Sequence, residues 1–208
     1  MLEYFQQSSD QLISATIEHL VLTLEALGIA LILASLLTIV IVRFPRLENV
    51  SVYGLSLLYA IPSFALFALL IPWTGLGQLT AITVLVLYAQ YILVRTFLTG
   101  IHKVESSIVE AARGMGMDFW QVLFKVQLPL AKSSIFSGIR LSTISIVAIA
   151  TIAATINAGG LGRILFDGLR TMSLVKLAWG ILLSVGLSLF LSLVISLVEV
   201  LFDQQETP

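Results

Sequence analysis

Long apolar blocks alternate with short polar stretches along this sequence of 208 residues. Five such blocks occur, at roughly 20–42, 50–71, 79–100, 135–156 and 177–202. A helix needs about 20 largely apolar residues to cross the hydrocarbon core of a bilayer. The pattern therefore predicts an all-α integral membrane protein with five transmembrane helices, and Pro62 predicts a kink within the second of them.

Composition agrees with a membrane protein and argues against several other classes. Hydrophobic residues make up 58% of the chain and charged residues 11%, whereas a soluble domain carries about 25% charged residues. A net charge of −1 without a basic run argues against nucleic-acid binding. The lack of cysteine excludes disulfides and thiolate metal sites. The residues before the first block lack the basic segment of a cleavable signal peptide, so we expect that block to be retained.

The distribution of basic residues predicts the orientation of the helices. With an external N-terminus, eight of the 11 Lys and Arg residues lie on or near the cytoplasmic side, and Arg163, Arg170 and Lys176 lie outside. We therefore expect the N-terminus outside and the C-terminus in the cytoplasm. In the alternative arrangement the third block is only interfacial and four helices cross, which would place the two basic clusters on opposite sides.

The polar stretch 101–134 separates the third block from the fourth, and its first half predicts a short capped helix on the cytoplasmic side. Ser107 and Glu110 have the spacing of a capping box, in which each side chain bonds the backbone N–H of the other residue. Glycine readily adopts the left-handed conformation that ends a helix. We therefore expect this helix to end at Gly114 and Gly116.

The second half of the same stretch predicts another helix. Asp118 and Gln121 form a further N-cap signal, and apolar residues follow at helical spacing over 119–126. Pro129 is expected to close this helix before the fourth span. Together the two halves predict a helix–turn–helix beneath the membrane.

One spaced pattern in this stretch resembles the EAA signature of ATP-binding cassette (ABC) importer permeases. It reads Glu-Ala-Ala from Glu110, three residues, Gly116, nine residues, Val126, one residue and Leu-Pro from Leu128. The tripeptide alone could merely cap and turn a loop, but the full spacing between two spans is specific. The resemblance implies the type I ABC importer permease fold, whose short coupling helix docks on an ATPase subunit. The implied coupling residues are Glu110, Ala111, Ala112, Gly114, Gly116 and Met117.

Further stretches resemble permeases of osmoprotectant importers, which carry glycine betaine, carnitine, choline or related quaternary ammonium solutes. These stretches are residues 60–77, 94–101 and 158–162. The sequence departs from that subfamily at Gln90-Tyr91, Lys132-Ser133 and Asn157. The alternatives are a permease of another ABC importer, such as methionine uptake, which shares the glycine-rich loop, and an ion-coupled secondary transporter, in which sequence repeats are usual.

Three groups of residues are candidates for roles within the membrane or outside it. Aromatic rings attract quaternary ammonium groups, so Tyr59, Tyr91 and the kink at Pro62 are candidates for the substrate pathway. Glu25 lies within the first apolar block and is expected to snorkel or to form a buried hydrogen bond. The candidates for an external gate, or for a surface that docks a binding protein, are Asn157, Gly159, Gly160 and Gly162.

No enzymatic or metal site is expected in this chain. His19 and His102 share no ligand cluster, no serine has a His or Asp partner in the sequence pattern, and no phosphate-binding P-loop occurs. ATP and Mg²⁺ are therefore expected on a partner ATPase, with no cofactor on this chain. The resemblance implies ATPase subunits, a second permease (identical or paralogous) and an external solute-binding protein as partners, in a bacterial cytoplasmic membrane and in contact with its lipid.

Overall fold

The computed structural model describes residues 1–204, and these residues contain helices but no β-strand. The α-helices are α1 (Leu2–Arg43), α2 (Glu48–Ala60), α3 (Ser63–Thr74), α4 (Gln78–His102), α5 (Ser106–Gly114), α6 (Phe119–Val122), α7 (Leu128–Ala153), α8 (Gly162–Arg170) and α9 (Leu174–Gln204). Short 3-10 helices lie at Pro45–Leu47 and Ala154–Ile156, and a π-helical segment, Leu123–Gln127, joins α6 to α7. The predicted all-α class is confirmed.

Four continuous helical stretches in the described chain are long and apolar enough to cross a bilayer. They are α1, α4, α9 and the stretch formed by α6, the π segment and α7. The pair α2 and α3 provides a fifth span if the two bent helices are counted together. The five predicted apolar blocks therefore correspond to four continuous helices and one broken helix.

The second predicted span is broken at Pro62 and bends by 96°. Proline lacks an N–H group and disfavours helical geometry at the residue before it. Ile61 accordingly adopts an extended conformation, with φ −65° and ψ 130°. The Tyr88 hydroxyl of α4 donates a hydrogen bond to the Ile61 carbonyl, which satisfies an acceptor that the break exposes. The bend is thus much larger than the predicted kink.

Helix α1 begins well before the first apolar block. It has 42 residues, and Ser8 interrupts it with a non-helical backbone, φ −130° and ψ 19°. At 1.5 Å per residue the part after Ser8 is about 50 Å long, well beyond the roughly 30 Å thickness of the hydrocarbon core. Its N-terminal part packs on the helices at the other end of the chain. Leu12 and Ala15 are buried in a cluster with Leu161 and Leu187. The predicted start near residue 20 missed this part because it mixes polar and apolar residues.

Helix α4 lies at the centre of the molecule, and α9 lies at its edge. Of the most apolar 18 residues of each helix, 67% are buried in α4 and 11% in α9. Helix α4 packs against α1, α2, α3 and α7. Ala26, Ala30 and Ala34 of α1 are fully buried, and such small residues let membrane helices approach closely. The apolar residues exposed on α9 are suited to contact with lipid.

Candidate coupling loop and membrane cavity

Helix α5 begins at a different cap from the predicted one. Its N-cap is Glu105, which has an extended backbone with φ −55° and ψ 132°. The Ser107 hydroxyl donates to the Glu105 carboxylate over 3.2 Å, and the helix start has no side-chain cap bond. The predicted Ser107–Glu110 capping box is therefore wrong, because Ser107 is already the second residue of the helix and cannot be its N-cap.

Gly116 ends helix α5 through a Schellman motif. The N–H of Met117 donates to the Ala112 carbonyl over 3.2 Å, and the N–H of Gly116 donates to the Arg113 carbonyl over 2.9 Å. Gly116 has a φ of +85°, in the left-handed region that glycine adopts without a Cβ clash. The predicted turn at Gly116 is confirmed, whereas Gly114 is the last residue of the helix itself.

The residues of the predicted coupling set lie on different faces of α5. Glu110, Ala111, Gly114 and Gly116 are exposed, and Met117 is half-buried. Ala112 is only 2% exposed and is the buried residue of the helix. Two apolar side chains that the resemblance did not identify, Ile108 and Met115, are exposed beside the set, Met115 by 74%. The tip of the loop therefore presents a mixed surface of small, acidic and apolar residues.

The second helix of the loop starts at the predicted cap. The Asp118 carboxylate accepts from the Gln121 N–H over 2.8 Å, and the Gln121 side-chain oxygen accepts from the Asp118 N–H over 3.0 Å. This reciprocal pair confirms the second capping box. The Arg43 guanidinium at the end of α1 lies 5.4 Å from the centre of the Phe119 ring, so a cation–π contact links the loop to the first helix.

The helix that starts at Asp118 continues through Pro129 into the membrane. In an α-helix, Pro129 would leave the carbonyl four residues earlier without a donor and would press its ring against that carbonyl. The wide turn of the π segment Leu123–Gln127 precedes the proline and relieves this conflict. The prediction that Pro129 closes the second helix is therefore wrong, and residues 119–153 form one continuous helical rod that joins the loop to the membrane.

A cavity of about 720 Å³ lies between α2, α4 and α7. Two of the predicted pathway residues, Tyr59 and Tyr91, line it with their ring centres 5.0 Å apart. Pro62 does not line it, but it ends the helical segment that carries Tyr59. Hydroxyl groups of α4 and α7 form much of the remaining wall, and they belong to Thr96, Thr99, Ser133, Ser134, Ser137 and Ser145.

Arg95 lines the same cavity and was not among the predicted site residues. Its guanidinium carbon lies 5.6 Å from the centre of the Tyr91 ring, and its Nη1 donates to the Tyr91 hydroxyl. An arginine near the end of an apolar block has an ordinary explanation, because its long side chain can snorkel to the membrane surface. Its place one helical turn after Tyr91, at i and i+4, is the signal that could have identified the pair.

The glycine-rich loop after α7 is fastened to α1 by two hydrogen-bonded side chains. The Glu18 carboxylate accepts from the Gly160 N–H over 3.0 Å. The His19 Nδ1 accepts from the Leu161 N–H over 3.3 Å, and its Nε2 lies 3.1 Å from the Val147 carbonyl. Since Nδ1 accepts, Nε2 must carry the proton and donate to Val147. His19 is therefore a neutral clamp between α1, α7 and this loop.

The four predicted gate residues all belong to this loop or border it. Asn157, Gly159 and Gly160 have positive φ angles of 63°, 85° and 77°. A Cβ on Gly160 would lie 2.8 Å from the His19 Nδ1, so only glycine allows the loop to approach α1 so closely. Gly162 begins α8, where a Cβ would overlap the Thr151 carbonyl of α7. Asn157 also borders an open cavity of about 540 Å³.

The basic residues predicted to be external are all paired with carboxylates. Arg163 contacts Glu18 over 2.5 Å. Arg170 and Lys176 contact the two oxygens of Asp167 over 3.0 Å and 2.5 Å. The hydrogen bond from Lys176, and then that from Arg170, holds the pKa of the Asp167 carboxyl below its ordinary value. These pairs join α1 to α8 and α8 to α9.

A further ion pair links α7 to α9 at the opposite end of the bundle. Arg140 contacts the Glu199 carboxylate, and its other donors reach the hydroxyls of Ser137 and Ser196. The Arg140 and Glu199 side chains are 24% and 16% exposed. Sequence reasoning missed the pair because the two residues are far apart in the chain and no local spacing relates them.

Glu25 and His102 lie outside the coupling loop, the cavity and the glycine-rich loop. Glu25 is exposed on α1 and has no hydrogen-bond partner among the described residues, so the alternative of a buried hydrogen bond is wrong. No group of three or more potential metal-ligating side chains occurs within the described part of the chain. His102, at the end of α4, lies 3.5 Å from Glu48 at the start of α2.

Residues 21–207 match the family described as "binding-protein-dependent transport system inner membrane component". This match covers nearly the whole chain and includes both the loop and the cavity. The chain belongs to this family. The resemblance to ABC importer permeases is thereby confirmed, and the permease is a multi-pass membrane protein.

Curated relatives cover most of the permease. It is 37% identical over 167 residues to the carnitine transport permease protein OpuCB of Listeria monocytogenes, which corresponds to 80% of this chain and 77% of that protein. It is 34% identical over 170 residues to the glycine betaine/carnitine/choline transport system permease protein OpuCB of Bacillus subtilis, which corresponds to 82% of this chain and 78% of that protein. Both relatives bear names from the osmoprotectant subfamily to which the sequence showed a resemblance.

The fold is similar to that of a solved ABC importer. The MetNI methionine ABC transporter, solved in inward-facing conformations, matches with a TM-score of 0.80 at 20% sequence identity. The alignment covers 95% of the permease and 96% of the matched chain. The similarity shows that the permease has the helical architecture of ABC importer permeases.

Proposed function

We propose that this permease is the membrane subunit of an ATP-driven importer for quaternary ammonium osmoprotectants such as glycine betaine, carnitine or choline. The names of its relatives support this solute class. The observation that carries the proposal is the continuous rod over residues 119–153. It starts at the exposed coupling loop and forms one wall of the cavity between α2, α4 and α7. One continuous helical element thus connects the surface that meets the ATPase with the space that admits the solute.

The mechanism follows from this connection. An ATPase that binds ATP closes and displaces α5, whose tip presents Glu110, Ala111 and Gly116. Because α5 is followed by the capped helix at Asp118, its displacement moves α6, the π segment and α7 together. Helix α7 then changes its position relative to α4 and opens the cavity alternately to the two sides of the membrane. ATP and Mg²⁺ bind to the ATPase, and no chemical step takes place on the permease.

The complete importer contains further subunits in this proposal. Two permeases, identical or paralogous, surround the pathway, and two ATPases bind their cytoplasmic loops. An external binding protein delivers the solute, consistent with the family description. The complex lies in the bacterial cytoplasmic membrane with the permease N-terminus outside, as the distribution of basic residues predicts.

The proposal is tested by uptake of radiolabelled glycine betaine into proteoliposomes that contain the permease, its ATPase and its binding protein. Uptake is expected to require ATP and to persist after ionophores collapse the ion gradients. Uptake that continues without ATP would contradict an ATP-driven importer. ATP-dependent uptake of methionine in place of glycine betaine would preserve the importer and replace the proposed solute class.

The coupling role is tested with Gly116→Val and Glu110→Lys. Valine is strained at the φ of +85°, and lysine reverses a charge on the docking surface. Each change is expected to lower uptake and stimulated ATPase activity by roughly 3- to 30-fold while the protein still inserts into the membrane. Gly186→Val is the matched control, since a Cβ there meets no atom within 4 Å. Unaltered ATPase stimulation in both loop variants would refute the assignment.

A further inference from the structure

The cavity between α2, α4 and α7 carries an unbalanced positive charge. Arg95 and Lys103 both line it, and no acidic side chain does so within the described part of the permease. Its remaining polar lining consists of hydroxyl groups, which are neutral. The cavity volume of about 720 Å³ falls within the roughly 300–1,000 Å³ typical of small-molecule sites. The charge of the lining therefore favours a ligand that carries an anionic group.

Arg95 has donors available for such a group. Its contacts are the hydrogen bond to the Tyr91 hydroxyl and the stacking of its guanidinium near the Tyr91 ring. Arginine has five N–H donors in a planar fork that matches a carboxylate. No carboxylate of the described residues pairs with it. Arg95 is thus charged, held in place by Tyr91 and free to bind an anionic ligand group.

Tyr59 provides the complementary feature for a cation. It is 38% exposed and lines the cavity, and its ring centre lies 5.0 Å from that of Tyr91 and 5.5 Å from that of Tyr88. Arg95 already lies against the Tyr91 ring, so Tyr59 is the aromatic ring that remains for a ligand. A quaternary ammonium cannot donate hydrogen bonds from its nitrogen, and an aromatic face is a suitable partner for it.

We propose that this cavity selects zwitterionic quaternary ammonium solutes, whose carboxylate binds Arg95 and whose ammonium binds the Tyr59 ring. The inference rests on the proposed function and narrows it. Glycine betaine and choline share the trimethylammonium group, but choline carries a hydroxyl where glycine betaine carries a carboxylate. Choline would therefore meet the charges of Arg95 and Lys103 without offering a counter-charge. Discrimination between the two solutes then resides partly in the membrane subunit, in addition to the binding protein.

The test measures equilibrium binding of radiolabelled glycine betaine and choline to the purified complex of permease and ATPase without the binding protein. The wild-type complex is expected to bind glycine betaine more tightly than choline. Arg95→Gln should weaken the binding of glycine betaine by about tenfold or more, the usual effect of losing a charged hydrogen bond. It should leave choline binding equal or stronger. Arg95→Lys should fall between these variants, because lysine keeps the charge but loses the planar fork.

Two further variants complete the test. Tyr59→Leu should weaken the binding of both solutes, whereas Tyr59→Phe should preserve it, because the ring face is the binding surface. Arg46→Gln is the matched control, since it removes an exposed positive charge from the turn Pro45–Leu47, away from the cavity lining. Its binding of both solutes should equal that of the wild type.

The possible failures are distinguishable. Equal weakening of both solutes by Arg95→Gln, at equal amounts of monodisperse complex, would overturn the inference, and so would a wild type that binds choline as tightly as glycine betaine. A wild type that imports glycine betaine in proteoliposomes but binds neither solute without the binding protein would also overturn it and leave the proposed function intact. A wild type that imports neither solute would overturn the proposed function and the inference with it.

Discussion

At the scale of single residues, the position of the glycine-rich loop depends on contacts between residues that lie far apart in the sequence. Glu18 and His19 are adjacent on α1, and both accept hydrogen bonds from backbone N–H groups of the glycine-rich loop. His19 is fully buried, so losing its hydrogen bond to the loop would leave a buried polar group unsatisfied. Such a loss lowers the free energy of unfolding by about 1–3 kcal/mol. The loop is thus positioned by α1 and is more than a tight turn at the end of α7.

Gly160→Ala tests how closely this loop must approach α1. Alanine has to adopt the left-handed conformation with a φ of +77°, and its Cβ would lie 2.8 Å from the His19 Nδ1. We expect the free energy of unfolding to fall by about 1–3 kcal/mol. The effect should appear as a lower unfolding temperature of the detergent-solubilised permease, compared at one scan rate because unfolding of such proteins is often irreversible.

The control for this prediction is Gly186→Ala in α9. A Cβ there meets no atom within 4 Å, and alanine is favoured over glycine in a helix by about 0.5–1 kcal/mol. Its unfolding temperature should equal or exceed that of the wild type. If Gly160→Ala were as stable as Gly186→Ala, the close contact between the loop and His19 would not contribute to stability.

Residue chemistry made part of the cavity predictable from sequence. Tyr59 and Tyr91 were candidates because aromatic rings suit an ammonium ligand, and the structure places both on the cavity. Arg95 was missed because an arginine near the end of an apolar block has an ordinary explanation in snorkelling. Only the packing of α4 against α7 shows that it lies on the cavity wall instead. Whether these residues contact the solute stays a prediction.

At the scale of elements, the hydropathy pattern located the helices, whereas the local signals for helix ends were less accurate. The capping box at Ser107 was wrong because Glu105 occupies the cap position, whereas the box at Asp118 formed as predicted. Proline usually ends a helix, but the π segment before Pro129 lets the helix continue through it. Pro62 breaks its helix, and the Tyr88 hydroxyl of α4 donates to the Ile61 carbonyl that the break exposes. A single sequence contains no direct signal for such compensations.

The ion pair between Arg140 and Glu199 provides a test of how α7 and α9 are held together. Arg140→Gln leaves the partly buried Glu199 carboxylate without its cation. Removing one partner of a fully buried pair costs about 3–5 kcal/mol, and the partial exposure of this pair lowers the expected loss to about 1–3 kcal/mol. The measurement is the free energy of unfolding in mixed micelles titrated with sodium dodecyl sulfate.

The double variant Arg140→Gln/Glu199→Gln should recover part of the lost free energy of unfolding, because it leaves no unpaired charge between α7 and α9. Arg170→Gln is the matched control, since its pair with Asp167 is exposed and such pairs contribute about 0–1 kcal/mol. Additive losses from the two single changes would show that Arg140 and Glu199 are not coupled.

At the scale of the whole molecule, the arrangement of charge fits the predicted orientation. The three basic residues of the predicted external side are paired with Glu18 and Asp167. On the predicted cytoplasmic side, Arg95 instead lies in a cavity whose described lining contains no acid. The orientation itself stays a prediction, because the arrangement of helices is the same whichever side faces the cytoplasm.

The absence of cysteine from the chain allows this orientation to be measured with single introduced thiols. Ser107 is exposed on the coupling loop, and Thr171 is exposed between α8 and α9. In intact cells, a membrane-impermeant maleimide should label Thr171→Cys but not Ser107→Cys, and permeabilised cells should show labelling of both. The cysteine-free parent controls for background. Labelling of Ser107→Cys in intact cells would show the opposite orientation, in which the exposed surface of α5 faces away from any cytoplasmic ATPase.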